Sequence, residues 1–111
     1  MNVPIYITDS IKNASVSELD LEKGAMNAIL RTQQDKSLFH IFTIGDALTY
    51  MEKLKKTAGV GKTKINRIKN AIINYTLEHL PSDEERLNWF LDLVEMNTVD
   101  DLRPIAEGFK K

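Results

Sequence analysis

Cysteine is absent from the 111 residues, which removes disulfide scaffolds, thiolate zinc sites and cysteine nucleophiles together. Proline and glycine are scarce, at three and five. Alternating β-branched residues are confined to a short extended piece at Ile5-Tyr6-Ile7, so little in the chain calls for a sheet. No apolar run nears the ~20 residues of a membrane span, and the opening segment 1–10 lacks the basic stretch of a signal peptide. A reducing cytoplasm is the expected compartment, and no membrane partner is expected. His40 and His79 stand far apart with no carboxylate at ligand spacing, so no metal is expected. Asp83, Glu84 and Glu85 open a helix, and three acids there serve the cap and the dipole rather than acid–base work. Gly59 to Thr63 ends like a phosphate loop, in Gly-Lys-Thr, but the earlier glycine and the preceding strand of that motif are missing. The expectation is a protein with no catalytic residue and no cofactor, and not an enzyme.

What the chain does contain suits one domain over 1–111, with 42% apolar and 28% charged residues. At this length roughly 65% of the unfolded surface can be buried without staples. The net charge of −1 hides a sharp division. Residues 50–77 carry seven bases (Lys53, Lys55, Lys56, Lys62, Lys64, Arg67, Lys69) against the single acid Glu52. Residues 78–111 carry nine acids against four bases. Two surfaces with different partners follow from that split, on a core over 15–80 and an acidic helical extension over 82–111.

Helical spacing dominates. Leu21, Ala25, Ala28 and Ile29 mark one face of a first helix, preceded by a candidate capping box at Ser15-Val-Ser-Glu18. Thr43-Ile-Gly-Asp46 starts a second, and Leu48, Met51 and Leu54 continue a buried stripe to about Thr57. After the interruption Ala58-Gly-Val-Gly61, a long helix carries Ile65, Ile68, Ile72 and Tyr75 and stops at Leu80-Pro81. Ser82-Asp-Glu-Glu85 caps the next, whose Leu87, Phe90, Leu91 and Val94 share a face; Asn97 ends it. Thr98-Val-Asp-Asp101 caps a last short helix, repeating at an offset of 55 the cap chemistry of Thr43 to Asp46. The fold class is an all-α bundle of five to six short helices.

The informative segment runs from Leu54 to Ile72 and has the form of a helix-hairpin-helix: an apolar residue, Gly-apolar-Gly, then a basic amphipathic helix. Glycine at 59 and 61 allows positive φ and leaves no Cβ between the turn and a ligand. Val60 can plug inward. The first amides of the second helix lack internal acceptors and lie at the positive end of its dipole, so a phosphate oxygen can seat there. Lys55 and Lys56 before the turn, with Lys62, Lys64 and Arg67 after it, add cations for neighbouring phosphates. The competing reading is a tight turn between helices beside a solvated charged face.

Residues 17–76 resemble the C-terminal domain of the bacterial RNA polymerase alpha subunit. Ser17-Glu-Leu-Asp-Leu21 matches its opening, Ile41-Phe-Thr-Ile44-Gly45-Asp46-Ala-Leu48 its second helix, and Gly59-Val60-Gly61-Lys62 with Ile65 and Ile68 its hairpin. The resemblance implies a DNA-binding surface formed by the start of the first long helix, the hairpin and the helix after it. It places Gly61, Lys62, Thr63 and Lys64 against the backbone. Where that family inserts an arginine into the minor groove, this chain has Glu22 or Lys23, and a nearby asparagine is Ala25. With Glu22 in the arginine's place, groove reading that depends on a cation is lost. What is expected is backbone gripping of duplex DNA, tolerant of sequence, in transcription or another DNA transaction. No polymerase-assembly portion is present.

For the helix over 84–97, apolar over most of its circumference, two readings stand. Either it is a lid on the core, or Trp89, Leu93 and Met96 leave a stripe for a protein partner or a second copy. Under the second reading the chain is an adaptor that recruits a partner through 82–111.

Overall fold

Four of the helix starts in this chain are set by side chains that accept from otherwise unbonded amides. The computed structural model describes residues 2–4, 6–57 and 59–109; Ile5 of the expected extended piece and Ala58 of the expected turn lie outside them. Thr8 caps α1 (Asp9–Lys12) by accepting from the Ile11 amide. Thr43 and Asp46 form the complete capping box of α3 (Ile44–Thr49): the Asp46 amide donates to the Thr43 hydroxyl at 3.0 Å and the Thr43 amide to the Asp46 carboxylate at 3.1 Å. Ser82 accepts from the Glu85 amide at 3.1 Å to open α6 (Asp83–Met96). Thr98 and Asp101 repeat the Thr43–Asp46 pattern at the start of α7 (Val99–Phe109), with bonds of 3.2 and 3.3 Å.

Two local expectations change. Ser15 caps a single 3-10 turn, Val16–Glu18, by accepting from Ser17. It does not cap α2 (Lys23–Arg31), whose N-cap is Glu22 with no side-chain bond to the helix. The stripe from Leu48 to Leu54 is divided at Tyr50 (φ −101°, ψ 13°) into α3 and α4 (Met51–Lys55). Tyr50 turns its ring toward Phe39, with centroids 5.4 Å apart. With α5 (Lys62–His79) the described residues therefore form seven α-helices and no named strand. One isolated antiparallel bridge, Ser15 to Thr43, ties the 3-10 turn to the start of α3.

The long helix α5 is the spine, touching α2, α4 and α7. Ile65, Ile68, Ala71, Ile72, Ile73 and Thr76 face inward from it. They meet Ala25, Ala28 and Ile29 of α2, Ile44 and Ala47 of α3, and Leu54 of α4 in one buried cluster. Thr76 is fully buried with its hydroxyl satisfied, donating to the Ile72 carbonyl at 2.8 Å. The loop after α2 is pinned by Thr32, which is buried, donates to the Ile29 carbonyl and accepts from the Ile41 amide. Leu80 ends α5 with extended backbone, as the residue before proline must.

The acidic extension is no appendage. Trp89 and Leu93 of α6 and Ile105 of α7 belong to the same cluster as the α5 isoleucines. Asn97 ends α6 and clasps the chain's start: the Asn2 amide donates to its Oδ1 at 2.7 Å, and its Nδ2 donates to the Asn2 carbonyl at 2.8 Å.

Candidate functional site

The corner between α4 and α5 is built by hydrogen bonds that leave its outer side open. The Thr57 hydroxyl donates to the Lys53 carbonyl at 3.0 Å, and the Val60 amide to the Thr57 carbonyl at 3.1 Å, tightening the end of α4 into a turn. Gly59 has φ +81°, a conformation that L side chains rarely adopt. Val60 is only 6% exposed and plugs the corner into the core. Gly61 is the N-cap of α5; it offers no side chain to the amides of the first turn, and a Cβ added there would meet nothing within 4 Å. The first turn holds no acid. Unbonded amides at the positive end of an 18-residue helix thus face open space.

The cations are not equivalent. Lys55, Lys56 and Lys62 are exposed, as is the neutral Thr63 beside them. Lys64 is half-buried and bends back, its Nζ donating to the Gly59 carbonyl at 3.0 Å, so it closes the turn as well as charging it. Arg67 is paired with Glu22, Nη1 to Oε1 at 2.6 Å, across α5 and α2. Lys53 lies over the Tyr50 ring, 5.5 Å from its centroid. Lys69 is drawn below the ordinary lysine pKa by burial, with Glu52 opposing and Lys55 reinforcing the shift. Asp101, at the start of α7, is held below the usual carboxylate range mainly by the Thr98 amide and hydroxyl, with Lys62 a smaller contributor. At the corner Gly59, Gly61 and Lys62 are all exposed. Among the described residues the three ion pairs are Arg67–Glu22, Arg86–Asp83 and Arg103–Asp100; none engages Lys55, Lys56, Lys62 or Lys64.

Other residues frame the site that the local sequence does not single out. Gly24, Asn27, Arg31 and Gln34 line an open hollow with Lys64. Arg31 comes within 3.7 Å of where a Cβ on Gly59 would stand. Their spacing along α2 and just beyond it, three and four residues apart, is a readable polar stripe; its position beside the turn is tertiary.

The proposed partner stripe needs correction. Trp89 is 1% and Leu93 0% exposed, because they are the residues by which α6 docks onto the core; of the three only Met96 is exposed. Conversely, Leu87, Leu91 and Val94, which share a face by their spacing, lie outside.

No three His, Asp or Glu side chains gather to hold a metal among the described residues, and no helix there is long and apolar enough to cross a membrane. In comparison with known proteins the chain matches no family model, no curated protein and no solved structure.

Proposed function

We propose that this chain is a non-enzymatic helix-hairpin-helix protein, of the kind found in the C-terminal domain of the RNA polymerase alpha subunit. In this reading it holds the phosphate backbone of duplex DNA at the α4–α5 corner, in transcription or a related transaction. The observation that carries this reading is the uncapped, acid-free start of α5 at Gly61, open to solvent and flanked by exposed Lys55, Lys56 and Lys62. A turn needed only to join two helices has no use for that combination, whereas a phosphate oxygen uses every part of it. The Glu22–Arg67 pair supports sequence tolerance. It puts a carboxylate at the edge of the surface, where groove insertion demands an unopposed cation.

The test is an anisotropy titration of labelled duplex against salt. Lys62→Ala and Lys64→Ala together weaken binding and flatten the salt slope by ~0.9 for each phosphate no longer neutralised. Absence of affinity for duplex or single strand at about 50 mM salt overturns the reading, since electrostatic binding is strongest there.

A further inference from the structure

Helix α6 is apolar on two opposite sides. Trp89 and Leu93 face the core. Leu87, Leu91 and Val94, at i, i+4 and i+7, form a second stripe that is 58, 52 and 39% exposed. At 1.5 Å per residue this stripe runs about 10 Å, two turns of helix. Isolated surface leucines need no explanation, but three apolar side chains in one row on one helix form a continuous patch. Glu84 and Glu95 stand exposed along its edge. The helix carries five acids against one base, Arg86, and that base is paired with Asp83.

We propose that this outward face of α6, Leu87, Leu91 and Val94 rimmed by Glu84 and Glu95, docks a basic amphipathic helix of another protein. The apolar row supplies two turns of contact surface for residues at the same spacing in the partner. The glutamate rim selects the sign of the partner's flank and speeds encounter. A second copy of this chain fits worse: antiparallel pairing of two such faces about Leu91 brings Glu84 of one toward Glu95 of the other, setting like charges along one seam. Nucleic acid is repelled by the same rim. This face is independent of the α4–α5 corner, and its role stands even if the corner binds no DNA.

The probe is a labelled helical peptide of about eighteen residues with leucines at i, i+4 and i+7 and lysines on one flank. Its control keeps the leucines and carries glutamates on that flank. Both are titrated against the full chain by anisotropy, with amide shift mapping. The lysine peptide binds and shifts amides of residues 84–95, and the glutamate peptide does not bind. Leu91→Glu weakens binding at least about tenfold, as removal of a central apolar anchor does. Glu84→Lys with Glu95→Lys weakens it about threefold or more and removes its salt dependence. These side chains are exposed, so both variants keep the parent's helical circular dichroism; Leu91→Glu keeps its Tm, and the double glutamate variant loses a little of it because Glu84 lies in the acidic first turn of α6. Equal binding of the two peptides, shifts elsewhere, or no binding of either overturns the proposal. So does a dimer in sedimentation that Leu91→Glu converts to monomer, which assigns the face to a second copy.

Discussion

At the α4–α5 corner the apolar residue points in and the charges point out; along α6, residues of nearly equal hydrophobicity divide between the interior and the surface. Val60 is buried while Lys62 and Thr63 beside it are exposed. On α6, Leu93 is fully buried and Leu91 half-exposed. Exposure at the corner is thus dictated by residue type, whereas on α6 it is dictated by which stripe docks. A charge has one acceptable side and a leucine has two, so only the second case needs the rest of the molecule to decide it.

The largest effects expected are on stability. Trp89→Ala should cost about 3–5 kcal/mol by emptying a large core site, and Leu91→Ala should stay within about 0.5 kcal/mol. Urea titrations read both, and equal losses would erase the two-sided description of α6. At the corner, Gly59→Ala should cost about 1–2 kcal/mol, because φ +81° opposes any Cβ. Arg31, at 3.7 Å, leaves room for the atom itself, so the loss comes from the backbone. Gly61→Ser separates stability from function: the new hydroxyl caps α5 and adds a few tenths of a kcal/mol, roughly the Gly-to-Ser difference at an N-cap. It also competes with phosphate for the same amides, so duplex affinity falls while Tm rises. A parallel rise in both would show that the helix start is not the anion seat.

A finer test concerns Glu22. Glu22→Gln releases Arg67, and the salt slope of duplex binding should steepen by ~0.9, the value for one further phosphate neutralised. The exposed pair itself is worth less than about 1 kcal/mol of stability, so melting hardly changes. An unaltered slope would remove Arg67 from the surface. The least effect is expected from Asp101. Its pKa is lowered by the Thr98 amide first, so the cap's support for α7 is present above the unfolded carboxylate pKa and lost as pH falls through the folded one. Amide protection factors at the start of α7, with the intrinsic pH dependence of exchange divided out, should fall on acidification, and Asp101→Asn should remove that pH dependence.

Local chemistry was legible in the chain. The Thr43–Asp46 box, the Ser82 cap, the stop at Leu80 and the inward Val60 each depend on residues a few positions apart, and each stands where the spacing predicts. Seven helices replace five or six for equally local reasons: Thr8 caps a single turn at α1, and Tyr50 divides α3 from α4. The α6 face was not legible, since Leu87, Phe90, Leu91 and Val94 satisfy the helical period as well as Trp89 and Leu93 do. Only the docking partners choose between them. Nor was the pairing of Arg67 with Glu22, whose partners lie on different elements and meet only when the start of α2 lies against α5. Thus the lysine row read as uniform becomes a set of cations with distinct tasks.

The chain has one tryptophan, and it is a residue by which α6 docks. Its indole emission is therefore a built-in gauge of whether the C-terminal helices are seated. A red shift on mild heating or in dilute denaturant, ahead of the loss of helical signal, would mark undocking of α6 as a step separable from melting of the α5 spine.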